Sequence, residues 1–433
     1  MMQRYFKFLS VPYRYARVRV NSREFKKFTQ EKGFKSFLRV LIISLQVAFS
    51  YLFLPISFAF KMCGFRFVNV DLEQIGSIFY LDLLLREYAL AGLNHKKIFV
   101  MAPSESLANR YLVKLYRSHC CLIHSQFLCL LLSPFFLSPV YREDSGVNFD
   151  TTNFEKPITN SIFQKFEKKI GKSLVEMPQE DISDCRKQLE NLSIRDPIVC
   201  IHARDTGFYG IKSQNTRNAD INNYFEASEY LIQKGYQVVR VGDPSATKLD
   251  KKFGSLGNKF FDYAHSELRS EMLDIYLMSQ CVFFIGCTSG PSAIPMLFNT
   301  RSVNVNWYNP QSAFLSLEGD LCLLKKLVSI KKGENLSLPE LLTPPFTKNL
   351  TMNELHQLGY LLEDNTPEEI RLAVTVAVEG LEIGCDGADY ITDQHFCFGH
   401  RGRFLESKHL AGVRGEFSQD RDLYDKSKVQ HLV

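Results

Sequence analysis

The sequence holds one tryptophan in 433 residues and no pair of cysteines at CxxC spacing. Its 11 cysteines are odd in number. Several stand in apolar contexts, as at Cys129, Cys200, Cys281 and Cys322. That argues against a disulfide framework and for small buried thiols. Cys120 and Cys121 adjoin His119 and His124, but metal-ligand spacing is lacking, so no metal site is expected. Internal repeats and low-complexity segments are also missing, which excludes a solenoid or a disordered linker array.

Acidic residues are scarce at the start. Residues 1–39 carry 11 Lys and Arg against only Glu24 and Glu31, although the whole chain has a net charge of +5. The run from Val40 to Phe60 has no charge and is about as long as a bilayer is thick. A basic lead before an apolar run favours a lipid surface over nucleic acid. The run is read as a spanning helix, an interfacial segment broken at Pro55, or a core helix. Monotopic insertion is the expectation, which leaves the protein on the cytoplasmic face of the membrane.

The length predicts two domains with appendages. From Phe65, short apolar strands alternate with helical patterns, and a second series starts at Pro197. Ile198–Arg204, Gln237–Asp243, Lys259–Ala264, Cys281–Cys287 and Ser302–Trp307 read as five strands. Thr366-Pro367-Glu368-Glu369 is a capping signal for a helix running to about Gly380. The expected class is α/β with two Rossmann-like domains facing across a cleft. The expected parts are a membrane-associating segment at 1–64, an N-terminal domain at 65–192, a C-terminal domain at 193–380 and a tail at 381–433.

Ligands of open α/β sheets bind beyond the carboxyl ends of the strands. In the second series those ends collect polar groups: His202, Arg204 and Asp205; Arg217, Asn218 and Asp220 in the next loop; Arg240, Gly242 and Asp243; and Thr288, Ser289, Gly290 and Ser292. The last four sit in a small-residue turn ahead of Pro291, where a helix would begin. Arginines can offer forks to phosphate, and such a turn can offer backbone N–H groups. The set reads as a site for a nucleoside diphosphate. For each arginine alone, a local salt bridge is an equal reading. Asp220 also suits an N-cap, and Tyr224 suits core. No Asp-x-Asp pair ends a predicted strand. Asp420-Arg421-Asp422 lies in the polar tail.

The segment CVFFIGCTSGPSAIPMLFNTRSVNVNW resembles the donor-binding end of GT-B glycosyltransferases, notably bacterial heptosyltransferases. His202-Ala203-Arg204-Asp205 is similar to the first motif of the fucosyltransferase superfamily, whose arginine contacts the donor diphosphate. Together with RNADINNYFEASEYLIQKGYQVVRVGD, these motifs most resemble a family of bacterial surface-polysaccharide glycosyltransferases. The match covers residues 65–380 and is most specific in 198–307. That family has an Ile-Gly-His-type loop where this chain has Gln74-Ile75-Gly76-Ser77.

The resemblance implies a metal-independent transfer from a nucleotide-sugar, with no cofactor, to a glycan or lipid-linked acceptor. The donor would sit on the C-terminal domain and the acceptor on the N-terminal one. An inverting reaction needs a base, for which Asp71, Glu73 and Asp205 are the catalytic candidates. A nucleotide-sugar epimerase of the same fold, or an inactive scaffold, are the other readings.

Overall fold

The computed structural model describes residues 45–46, 48–141, 162–207, 215–313, 315–380, 385–386, 403–405 and 410. The basic lead and Asp420-Arg421-Asp422 lie outside the described residues. Those described fall into two compact units. One lies within Met1–Phe149 plus Leu174–Glu176, the other within Asp150–Ser173 and Met177–Val433.

The first unit begins with a helical stretch over residues 48–52, interrupted at Phe53. Helix α1 (Leu54–Met62) follows, with Pro55 in its first turn, where a missing N–H costs nothing. Strand β1 (Arg66–Val68) leads to helix α2 (Ile78–Leu90), then β2 (Ile98–Met101), β3 (Cys121–Ile123) and helix α3 (Gln126–Leu131). The three strands are parallel in the order β1-β2-β3. Phe67 stacks on Phe99 and Phe135 at 5.3 and 5.2 Å between ring centres. Helix α2 is apolar on most sides and buries Ile78, Phe79, Leu81 and Leu83 to Leu85. Asp82 and Arg86 are buried with them, one turn apart, and pair at 2.5 Å. Tyr116 donates its hydroxyl to the other carboxyl oxygen at 3.1 Å. Mutual hydrogen bonding makes such burial tolerable.

The second unit starts with two helices, Ile162–Ile170 and α4 (Gln179–Glu190). Sequence placed both in the N-terminal domain. The structure packs α4 through Cys185 and Leu189 against helix Glu271–Gln280, so it belongs to the later unit. The strands are β4 (Ile198–Ile201), β5 (Gln237–Arg240), β6 (Phe260–Asp262), β7 (Phe284–Gly286), β8 (Ser302–Trp307) and β9 (Leu321–Leu324). Next come β10 (Lys326–Ser329), β11 (Tyr360–Glu363), β12 (Cys385–Asp386) and β13 (Arg403–Leu405). Helices α5 (Phe225–Gln233), α6 (Glu271–Gln280) and α7 (Pro367–Glu379) pack around them.

The main sheet has eight strands in the order β12-β13-β9-β8-β7-β4-β5-β6, parallel except for β12. All five expected strands are in it. The residues following Glu382 have no readable period, yet β13 pairs beside β9 with Phe404 buried. Three residues are too few to carry a pattern. β10 and β11 form a separate antiparallel pair. The expected capping box is present: Thr366 Oγ1 accepts from Glu369 N, and Glu369 accepts from Thr366 N. Gly380 ends α7 in the left-handed conformation (φ 66°), which glycine adopts without a Cβ clash.

Two halves of the main sheet wind in opposite directions. From β4 the chain steps outward to β5 and β6. From β7 it steps the other way to β8 and β9. The strand order therefore reverses between β4 and β7, and the carboxyl ends of these two neighbours flank the topological switch point.

Candidate functional site

β4 and β7 are central strands, buried at every position. Their ends are tied together. His202 N donates to Ile285 O at 2.8 Å. The His202 ring Nδ1 lies 3.1 Å from the carbonyl of Val241, beyond β5. A carbonyl only accepts, so Nδ1 carries the hydrogen. Burial is the main effect that lowers the His202 pKa, which keeps the ring neutral. His202 thus pins three strand ends.

Beyond His202, Arg204 N donates to Cys287 Sγ at 3.1 Å. Arg204 O accepts from Ala219 N at 2.9 Å. The Arg204 guanidinium donates through Nη1 to Asn218 Oδ1 at 3.1 Å. Arg217, exposed, donates through Nε to the carbonyl of Thr288 at 3.0 Å. A third cation arrives that sequence reasoning missed. Lys325 Nζ donates to Asn218 O at 2.5 Å and pairs with Asp364 at 2.6 Å. Lys325 is the single residue between β9 and β10, where the chain leaves the main sheet. Its side chain is 3 % exposed. The signal was visible as a lysine pair interrupting an apolar run, LCLLKKLVS. Asn365 holds the segment in place, accepting from Asn306 N and donating to Leu324 O at 2.8 Å.

These cations share one neighbourhood. Burial pushes the Cys287 thiol up, while the charges of Lys325, Arg217 and Arg204 all act to pull it down. The positive field of all three therefore reaches the first residue of the turn after β7.

The turn itself is tightly built. A Cβ on Gly286 would stand 2.4 Å from Ser292 Oγ and 2.5 Å from Phe284 Cε1, so only glycine fits. Ser292 Oγ donates to Cys287 O at 2.7 Å and lies 3.0 Å from Ser289 Oγ. Both serines are buried. Their hydroxyls brace the turn and are spent inside it. Thr288 Oγ1 accepts from Tyr308 N at 2.8 Å. Gly290 is the N-cap and Pro291 the first residue of a short 3-10 turn, Pro291–Ala293, which runs into Ile294–Leu297. The helix expected here is too short to supply much of a dipole. The cations are the main source of positive potential.

Other expected site residues are occupied elsewhere. Arg240 is buried, paired with Asp262 at 3.3 Å and donating to Thr247 O at 2.6 Å, so its fork is committed inside the fold. Asp205 accepts from Gly207 N at 2.9 Å and Thr247 N at 2.5 Å. Burial acts to raise its pKa, but hydrogen bonds from Thr247 and Gly207 and the charge of Arg240 outweigh it and hold the carboxyl below its usual range. A carboxylate so stabilised is a weak base and a good loop anchor. Gly242 packs beside Ala264 and His202. Asp243 accepts from Ser245 N at 2.8 Å, closing its own turn. Asp220 accepts from Asn222 N at 2.9 Å as the cap of Ile221–Tyr224, and Tyr224 is core. Asp71 and Glu73 belong to the first unit, where Asp71 accepts from Glu73 N at 2.9 Å. Among the described residues no group of three or more His, Cys, Asp or Glu could hold a metal.

No family model matches this chain, and no curated protein matches it. Among solved structures it is similar to the Escherichia coli ADP-heptose lipopolysaccharide heptosyltransferase II. Identity is 14%, the match covers 71% of this chain and 96% of that one, and the TM-score is 0.38. It is also similar to a family 9 glycosyl transferase from Veillonella parvula, with 12% identity, 71% and 80% coverage and a TM-score of 0.31. A third similarity is to the Escherichia coli heptosyltransferase WaaC with ADP-2-deoxy-2-fluoro heptose, at 14% identity, 64% and 69% coverage and a TM-score of 0.22. None of the three is a fucosyltransferase. At such distances no residue role is carried over from them.

Proposed function

We propose that this chain is a glycosyltransferase. It binds a nucleoside-diphosphate sugar at the β4/β7 switch point and passes the sugar to a hydroxyl of a glycan or lipid-linked acceptor in surface polysaccharide biosynthesis. The observation that carries this reading is the gathering of Arg204 and Arg217 around the Cys287–Thr288 turn, with the buried Lys325 ammonium behind them on Asn218 O. Two arginine forks with a third positive charge behind them suit a ligand with two adjacent phosphates.

In the reaction the bond from the sugar C1 to the phosphate oxygen breaks, and the diphosphate leaves with the electron pair. A bond from C1 to the acceptor oxygen forms, and the acceptor proton passes to a base. The cations lower the barrier by holding the charge that grows on the leaving diphosphate. That is the task a bound metal performs in other designs, so no metal is required here. With Asp205 held as a loop anchor, the base for the acceptor proton is a group other than Asp205.

A thermal-shift series with ADP, GDP, UDP and CDP tests the donor site. A nucleotide at 100 times its Kd stabilises the native state by about 2.7 kcal/mol. At least one should raise the melting temperature, and Arg204→Ala should abolish that rise while leaving the ligand-free melting temperature near the parent's. If none of the four shifts the parent, the donor site is wrong. Sugar epimerisation without release of the nucleotide would identify an epimerase in its place.

A further inference from the structure

Among the described residues, ten of sixteen exposed large apolar side chains lie in two short segments of the first unit, residues 45–62 and α3. The first segment is inside-out. Ser50 and Ser57 are fully buried, whereas Phe49, Leu52, Phe58 and Met62 are 51%, 73%, 59% and 73% exposed. A helix packed against a protein in water turns its serines outward and its leucines inward. The side turned inward carries Ser50 and Ser57, buried, and Phe53 and Phe60, half-buried, and Ser57 O accepts from the Tyr141 hydroxyl at 2.9 Å.

α3 does the same on a smaller scale. Its Cys129 is buried while Phe127 and Leu131 are 62% and 59% exposed. In the sequence the apolar run Phe127–Leu132 simply continues the α/β series. The two segments adjoin. Phe135, four residues beyond α3, meets Phe53 at 5.7 Å and Phe60 at 5.4 Å between ring centres, and Leu132 packs into the same cluster.

We propose that residues 48–62 and α3 form one face that inserts into an anionic lipid leaflet without crossing it. Two observations select lipid over another occupant. The exposed side chains are large, apolar and on helices, as the acyl-chain boundary demands. The 11 basic residues of positions 1–39 lead directly into this face and complement anionic headgroups. Among the described residues no helix is long and apolar enough to cross a membrane. The helical run breaks at Phe53, and its inner side packs on Phe135, which suits insertion from one side. This inference stands apart from the donor site, which lies in the other unit.

The test is co-sedimentation of the full chain with vesicles of phosphatidylcholine alone or with about a third phosphatidylglycerol. The parent should sediment with the anionic vesicles, and high salt should weaken binding without abolishing it. Leu52→Asp and Phe127→Asp should each lower partitioning by about tenfold or more. Leu361→Asp, at a half-exposed leucine of β11, should not. Three results overturn the proposal. One is Phe127→Asp binding like the parent, which removes α3 from the face. Another is a lipid-free dimer in sedimentation velocity that either variant dissociates, which makes the face an interface between copies. The third is a large loss of lipid-free melting temperature in both variants, which means the chain itself covers the face. Nucleotide shifts should be the same in parent and variants.

Discussion

Lys325→Met is the sharpest probe of the cation cluster, because its ammonium is buried behind the arginines and would act on a ligand only through its charge and through Asn218. Its ammonium lies 2.6 Å from Asp364 and 2.5 Å from Asn218 O, with the lysine side chain 3 % exposed and that of Asp364 34 %. Breaking a fully buried pair costs about 3–5 kcal/mol. Asp364 still reaches water, so the loss of ligand-free stability should be smaller, about 1–2 kcal/mol. Adding Asp364→Asn should recover most of that by removing the unpaired charge. Binding should behave differently. A charge acting from behind the arginines is worth about 1–2 kcal/mol, so Lys325→Met should weaken nucleoside-diphosphate binding roughly 5- to 30-fold. Asp364→Asn should not restore it. Urea unfolding without ligand and titration calorimetry with ADP, GDP and UDP separate the two effects. If Lys325→Met binds as tightly as the parent while Arg204→Ala does not, the lysine is structural only. If the double variant recovers binding, the ammonium acted through the fold, and the three-cation reading is refuted.

Gly286→Ala should destabilise the protein by about 1–3 kcal/mol by urea unfolding, because its Cβ would stand 2.4 Å from Ser292 Oγ in a turn with no slack. Parent-like stability would show that the turn can shift. Thr366→Ala should cost about 1 kcal/mol through loss of the bond from Glu369 N at 3.2 Å, and Thr366→Ser should restore it. Asp320 gives a pH signature. Burial pushes its pKa up to about 7, against hydrogen bonds from Leu317 and Ser302. The native state therefore holds its proton over a range where the unfolded chain releases it. Its contribution to stability should fall between about pH 4 and pH 7 and level off above, by up to roughly 4 kcal/mol. Asp320→Asn should lose this slope in chemical unfolding measured across that range, and an unchanged slope would place the titration elsewhere.

Much of the fold was legible locally. Helix α7 shows its start in Thr366 and Glu369 and its end in Gly380, because caps are local hydrogen-bond chemistry. Strands β4, β5, β7 and β8 were readable as apolar runs, since central parallel strands bury both faces. The misses share a physical cause. β13 is three residues long and pairs with β9 from about eighty positions away, so its partner and not its own pattern makes it a strand. α3 has the apolar content of a core helix, and only solvent exposure shows it turned outward.

For the candidate site, the sequence alone determined the residue types at the strand ends and the tight turn at Gly286–Ser292. Short, local constraints write themselves into neighbouring residues. It also placed arginines at or beside the strand ends without saying which were available. Only the tertiary structure decided that. It committed Arg240 to Asp262 and spent the Ser289 and Ser292 hydroxyls on the turn. It also brought Lys325 onto Asn218 from 107 positions away. Whether a charge is held inside or offered to a ligand depends on which groups surround it in space, and those groups come from other elements of the fold.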